Sequence, residues 1–352
     1  MSDNKVVITL DDVSRVRDEP RPASAPITPT GAAGSRDWGT VHGSSAPVTS
    51  AVSGGSFFYN AWVYLSLAGL AGTFAAWALS EPFYSDESPS QWAGYILITA
   101  VIGLMCLMFA VAEALVERNP RKAAIRGAIA LLAVLLLMPP CNFAANYIYN
   151  VLLRAIPNDG GNSLTNPMGW LARGVAWAIF GAAGGLIYGV AGMSLRQGLY
   201  GAIGGIVGAL VGGLVFNPIS MACGGAELSR GIGFSVFGAA TGLAIGLVEN
   251  ALKNRWLYVA QGPLAGKQFI LYKPVTVFGN DRACDIYLFK DPTILPQHAV
   301  IQVQGAQAML TAAGPTTING RPVITPNVRL RSGDQVQIGR YVFRYEETNK
   351  VA

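Results

Sequence analysis

Residues 93–115 read AGYILITAVIGLMCLMFAVAEAL. Glu113 alone interrupts the apolar character, and the run is longer than the roughly 20 residues a helix needs to cross the hydrocarbon of a bilayer. Similar runs lie near 57–79, 125–149, 170–191, 197–216 and 229–250. Together they predict a polytopic α-helical membrane bundle of about six spans over residues 56–250. Composition agrees: 51% hydrophobic, 13% charged and a mean hydropathy of +0.38 fall outside the range of ordinary soluble chains. Pro139-Pro140 sits inside the third run, where lost backbone donors predict a kink or a division into two shorter segments.

Orientation follows from the short loops. Residues 80–92 hold Glu81, Asp86 and Glu87 and no Lys or Arg, whereas residues 117–126 hold Arg118, Arg121, Lys122 and Arg126. The first loop is expected outside and the second inside. Arg196, Lys253 and Arg255 also suit the inner side, so an integral multi-pass protein with cytoplasmic N and C termini is expected. Arg173 and Arg230 open their helices on the outer side, where long side chains snorkel.

The last three spans share a repeat. Arg173, Gly181, Gly185 and Gly189 recur as Arg196, Gly204, Gly208 and Gly212, and again as Arg230, Gly238, Gly242 and Gly246. Glycine every four residues makes one helix face smooth enough for backbones to approach closely. This glycine-zipper pattern reads as a packing seam within the chain, or else as a face that forms a homo-oligomer or lines a pore. Ionisable groups within spans mark transport pathways because they are costly there. They are scarce here: Glu113 and Glu249 lie near the cytoplasmic ends, where water is expected to reach them. Asn142, Asn146 and Asn150 share one helix face and are read as interhelical hydrogen-bonding groups.

Residues 1–55 are rich in Pro, Ser, Thr, Ala and Gly without apolar periodicity, which predicts a disordered cytosolic tail. The cysteines Cys106, Cys141, Cys223 and Cys284 form no C-x-x-C pair, and His42 and His298 are the chain's two histidines. Metal centres and disulfide frameworks are therefore not expected. The phosphate-loop, H-E-x-x-H and nucleophile-elbow motifs are absent, so no catalytic residue and no cofactor is assigned.

After Arg255 the texture becomes period-2 alternation, as in WLYVAQ, VTVFG, AVIQVQ and QVQIGRYVFRY, broken by Gly, Pro, Asn and Asp. That predicts a compact β-sandwich over residues 251–346, with a tail over 347–352. The domain carries the basic excess, twelve Lys/Arg against six Asp/Glu in residues 251–352. This charge attracts it to anionic membrane lipid. Its aromatics fall at core positions, which argues against nucleic acid.

Residues about 256–345 resemble the forkhead-associated (FHA) family on landmarks in the family's order: Gly279 with Asp285-Ile286, His298 in LPQHAVI, Asn319-Gly320 in TTINGRPV, and the closing LRSGDQVQIGRYVFRY. The resemblance implies phosphothreonine recognition by loops at one end of a β-sandwich, with Gly279, Asp285, His298 and Gly320 supporting the fold. The ligand face would comprise Asn280, Arg282, Leu295, Asn319 and Arg321. Asn280 and Leu295 stand where the family has a phosphate-holding arginine and a serine donor, so charge on Arg282 and Arg321 would have to compensate. The implied partners are a cytosolic protein, phosphorylated on threonine, and a Ser/Thr kinase nearby. Thr9, followed three residues on by Asp12, is an intramolecular candidate.

Two functions remain open. One is a membrane-anchored signalling or assembly adapter that presents an FHA-like protein-interaction module. The other is a channel or transporter with that module as its regulator.

Overall fold

The structure is a computed structural model that describes residues 57–84, 91–155, 165–223, 226–305 and 307–348. The tail expected to be disordered, residues 1–55 with Thr9, lies outside the described residues.

Among the described residues six helices are long and apolar enough to cross a membrane. They are α1 (Ala61–Ser80), α2 (Gln91–Val116), α3 (Pro120–Ala155), α4 (Pro167–Ala191), α5 (Leu195–Cys223) and α6 (Ala226–Leu252). The doubtful third run is one unbroken helix through Pro139-Pro140. Leu132, Leu135, Leu136 and Phe143 of α3 are exposed, as expected of side chains that meet lipid. The helix α4 starts at Asn166-Pro167: Asn166 Oδ1 accepts from the Met168 N–H at 2.9 Å and proline occupies the first turn, where a missing N–H costs nothing.

Each glycine triplet faces a neighbouring helix. A Cβ at Gly181, Gly185 or Gly189 of α4 would strike the backbone of Gly205, Gly201 or Gly198 of α5. On α5, Gly204, Gly208 and Gly212 meet Ile245, Thr241 and Phe237 of α6, and on α6, Gly238, Gly242 and Gly246 meet Gly69, Leu65 and Trp62 of α1. The repeat thus runs as a relay, each helix laying its small-residue face on the next. Arg230 pairs with Glu81 across α6 and the turn after α1, so it does not merely snorkel.

The β-domain starts two residues after α6. Its strands are β1 (Arg255–Gln261), β2 (Gln268–Ile270), β3 (Val275–Gly279), β4 (Ile286–Tyr287), β5 (Ala299–Gln304), β6 (Gln307–Ala312), β7 (Thr316–Ile318), β8 (Arg321–Pro322), β9 (Val328–Leu330), β10 (Gln335–Ile338) and β11 (Tyr341–Glu347). They form two sheets, ordered β2-β1-β11-β10-β7-β8 and β4-β3-β5-β6-β9. Alternation places Leu257, Val259, Ile301, Leu310, Val336, Tyr341, Phe343 and Tyr345 in the shared core. All pairs are antiparallel except β3 with β4, which run parallel.

Candidate functional site

Gly279 ends β3, and Asn280, Arg282, Leu295 and His298 lie in the loops between β3 and β5, whereas Asn319 and Arg321 lie at the far end of β7, beside Asp334 and Gln335. Between β3 and β4, the Asn280 N–H donates to the Leu295 carbonyl at 2.9 Å and the Asp281 N–H to the Pro296 carbonyl at 3.2 Å, so this loop is laced to the one before β5. Gly279 is required there because a Cβ would meet the Pro296 carbonyl. Asp285 accepts from the Val277 N–H at 3.0 Å and pairs with Lys273 at 2.8 Å. Cys284 donates to the Pro296 carbonyl at 3.1 Å, and burial, followed by the charge of Asp281, raises its thiol above the ordinary range, so it stays protonated.

His298 is buried and fixes the second loop. Its Nδ1 accepts from the Leu295 N–H at 3.1 Å, so the ring proton is on Nε2, which donates to the Pro315 carbonyl at 3.1 Å. Asn319 and Gly320, at φ +53° and +77°, turn β7 into β8 through the left-handed conformations that a two-residue hairpin demands. The Asn319 amide is engaged: Nδ2 donates to Asp334 at 2.8 Å and Oδ1 accepts from the Gln335 N–H at 2.9 Å. Asn280, Arg282, Leu295, Asn319 and Arg321 are all exposed to solvent. The structure ties Asn280 to Leu295 directly, while Asn319 and Arg321 sit together on a separate turn.

The same domain is seated on the helical bundle through polar groups, of which Glu117, Asn119, Lys267, Tyr188 and Tyr272 were not singled out by sequence reading. Glu117, just beyond α2, is buried between Lys267 of the β1–β2 loop at 3.1 Å and Lys122 of α3 at 2.7 Å. Lys122 also donates to the Asp285 carbonyl at 3.0 Å, and Asn119 Nδ2 to the Arg282 carbonyl at 2.9 Å. Glu249 of α6 accepts from Tyr272 at 2.7 Å and from Tyr188 of α4 at 3.4 Å. Burial, then the charge of Glu249, pushes the Tyr272 hydroxyl well above its ordinary value and keeps it a donor. Glu113 pairs with Arg126 at 2.5 Å. Glu249 is 1% exposed, so the expectation that water reaches it is corrected: the β-domain covers that end of the bundle.

Residues 258–349 match the family described as the inner membrane component of T3SS, cytoplasmic domain. Residues 256–345 are a divergent FHA domain. The chain is 35% identical over 88 residues to the glycogen accumulation regulator GarA of Mycolicibacterium smegmatis, covering 24% of this chain and 54% of that one. It is 36% identical over 87 residues to the proliferation marker protein Ki-67 of Mus musculus, covering 24% of this chain and 3% of that protein. It therefore spans about half the length of the first relative and a small part of the second. Among solved structures, the FHA domain of the CT664 protein from Chlamydia trachomatis is similar at 22% identity, with 27% of this chain and 99% of that one covered and a TM-score of 0.25. The N-terminal FHA domain of Rad53p from S. cerevisiae, solved with a phosphothreonine peptide, is similar at 18% identity, with 28% and 95% covered and a TM-score of 0.26.

Within the FHA domain, His298 is placed to hold two loops at once. His298→Ala leaves the Leu295 N–H and the Pro315 carbonyl without their partner and opens a void against Gly314, which packs on the ring. The expected loss is about 3 kcal/mol of domain stability, read by chemical unfolding of the full chain. A loss below about 1 kcal/mol would mean that water replaces the imidazole freely.

Proposed function

We propose that this protein is a membrane-anchored adapter. The helical bundle holds the FHA domain at the cytosolic surface, and the FHA loops recruit a protein partner. The observation that carries this reading is the seat itself: a buried ionic joint fixes the domain to the bundle, while Asn280, Arg282, Leu295, Asn319 and Arg321 stay open to solvent. The reading is of a binding protein and not an enzyme. The basic 117–126 segment lies beside the FHA domain, which supports cytoplasmic placement of that end and of both termini.

The partner is a cytosolic protein segment phosphorylated on threonine, with a Ser/Thr kinase acting upstream. Arg282 and Arg321 supply the charge that Asn280 does not, and Leu295 offers apolar contact in place of a hydroxyl donor. The expected result, with full chain in nanodiscs and a labelled phosphothreonine peptide library, is saturable binding. Arg282→Ala and Arg321→Ala together should weaken it about tenfold or more, since one charge-assisted hydrogen bond contributes about 1.5–3 kcal/mol. Equal binding of the unphosphorylated twins would assign the face to phosphate-independent contact.

A channel or transporter regulated by the FHA domain is the second reading. It draws on Arg126 and Glu249, which sit buried, and on half-buried Glu113, all at the ends of their spans. The direct backbone contact along the glycine faces favours the adapter, because it leaves little room between those helices. Ion flux through reconstituted protein would reverse the ranking.

A further inference from the structure

The end of the bundle away from the FHA domain contains a cavity of about 530 Å³ between α2, α3 and α4. Arg173, about 9 Å along α4 from its first residue, lines it. The guanidinium lies against the rings of Phe216, Tyr149 and Trp177, at 5.0, 5.9 and 5.9 Å. Among the described residues its Nε is buried without a hydrogen-bond partner, and the lining of the cavity includes no carboxylate. This cation has no counter-charge among the described residues, and inside a membrane such a deficit is costly.

The opposite wall is the asparagine face of α3. Asn142 donates to Thr99 at 3.1 Å and to the Tyr95 carbonyl at 3.4 Å, Asn146 to the Tyr95 hydroxyl at 2.9 Å, and Asn150 to the Asn146 carbonyl at 2.8 Å and side-chain oxygen at 3.0 Å. Each amide nitrogen carries two hydrogens, so Asn142 and Asn150 spend both on these neighbours and are held in place, while Asn146 keeps one donor over for a ligand. Tyr95 and Asn142 also border a second space of about 720 Å³, whose other walls include Ile96, Ala100, Pro139 and Phe143. Ile96 and Phe143 are 66% and 69% exposed, on the face that meets lipid. A cationic, amide-lined chamber thus opens onto an apolar groove, and the pair matches a molecule with an anionic head and a hydrocarbon chain.

We propose that this chamber and groove form a binding site for a membrane amphiphile with an anionic, phosphate-type headgroup. Arg173 supplies the counter-charge, Asn146 directs its remaining donor to the headgroup oxygens from a wall that Asn142 and Asn150 hold in place, and the groove beside Phe143 takes the chain. The site is independent of the FHA face and requires no phosphopeptide.

The test is native mass spectrometry of the full chain released from vesicles of equal phosphatidylglycerol and phosphatidylcholine. The expected result is one phosphatidylglycerol retained about tenfold over phosphatidylcholine. Arg173→Gln should abolish the preference, and Arg173→Lys should keep part of it. Phe143→Ala, which leaves the chamber intact, should lower retention of both lipids. Asn146→Leu gives an independent reading of the chamber wall if Arg173→Gln does not yield folded protein, and should also reduce the preference. Equal retention of the two lipids by the wild type, or an unchanged preference in Arg173→Gln, would overturn the proposal. So would complete displacement of the lipid by millimolar inorganic phosphate, which would identify a pocket for the free anion alone.

Discussion

Glu117→Ala is expected to lower the stability of the full chain by about 3–5 kcal/mol, because it strands Lys267 as a buried, unpaired charge. Both side chains are 1% exposed, and the ammonium is wedged against Phe269 and Tyr64, with ring centres at 5.0 and 5.5 Å. Water cannot take the place of the carboxylate without opening the joint between bundle and FHA domain. Lys267→Met should cost less, since Lys122 still neutralises Glu117 at 2.7 Å. The pair Glu117→Leu with Lys267→Met should recover most of the loss, because apolar residues of similar volume replace buried ion pairs at little cost. Chemical unfolding in nanodiscs of the wild type, Glu117→Leu, Lys267→Met and the pair gives the four corners of the cycle. Hydrogen exchange along the β1–β2 loop reports whether the domain has lifted. A Glu117→Ala protein within about 1 kcal/mol of the wild type would show the joint to be hydrated and the seat loose.

The joint also binds the FHA loops to the bundle. Asp285 supports β3 with its carboxylate and accepts Lys122 with its carbonyl, and Arg282 presents its side chain to solvent while its carbonyl accepts Asn119. A cavity of about 150 Å³, lined in part by Lys122, Gln197 and Arg282, separates the two modules at this point. A peptide that shifted the β3–β4 loop would therefore strain bonds to α3 before it reached any other part of the bundle. The same bonds restrict how far Arg282 can move to meet a phosphate.

What could be read in the sequence was the part set by periodicity and by local turn chemistry. Six apolar runs fixed six helices, because a helix in hydrocarbon satisfies its own backbone and needs no partner to be recognised. Period-2 alternation and Asn319-Gly320 signalled the sandwich and one hairpin for the same local reason. The proline pair was ambiguous: Pro139 and Pro140 remove donors, but whether the helix continues depends on its neighbours, and here it does. The seat was invisible. Glu117 and Lys267 are 150 residues apart, and an acid beside a basic loop looks like an ordinary exposed charge until a second domain buries it. Glu249 was misread for that reason. The ligand-face residues fall in order along the chain, yet sequence could not tell that the Asn319 amide is already engaged by Asp334 and Gln335.

Gly185→Ala should cost about 2–3 kcal/mol, and Gly185→Val should leave little folded protein, whereas Gly198→Ala on the same seam should be neutral or slightly stabilising. The contrast comes from what each new Cβ would touch. At Gly185 it would run into the Gly201 carbonyl group and the Ala202 nitrogen, so α4 and α5 must separate. Backbone cannot rotate aside as a side chain does, and the cost is that of overpacking, about 1–3 kcal/mol for each methyl forced in. Separation would also break the packing that replaces a hydrophobic drive between helices in lipid. At Gly198 the nearest atom to a new Cβ is the Gly189 Cα, at 3.6 Å, an ordinary contact. Alanine there also gains helix propensity of up to about 1 kcal/mol. Unfolding of the two proteins by SDS titration, with helicity read by circular dichroism, separates the outcomes. Equal stabilities would mean that α4 and α5 are not held at backbone contact, and the glycine repeat would then have to serve a face outside the chain, such as an oligomer or a pore.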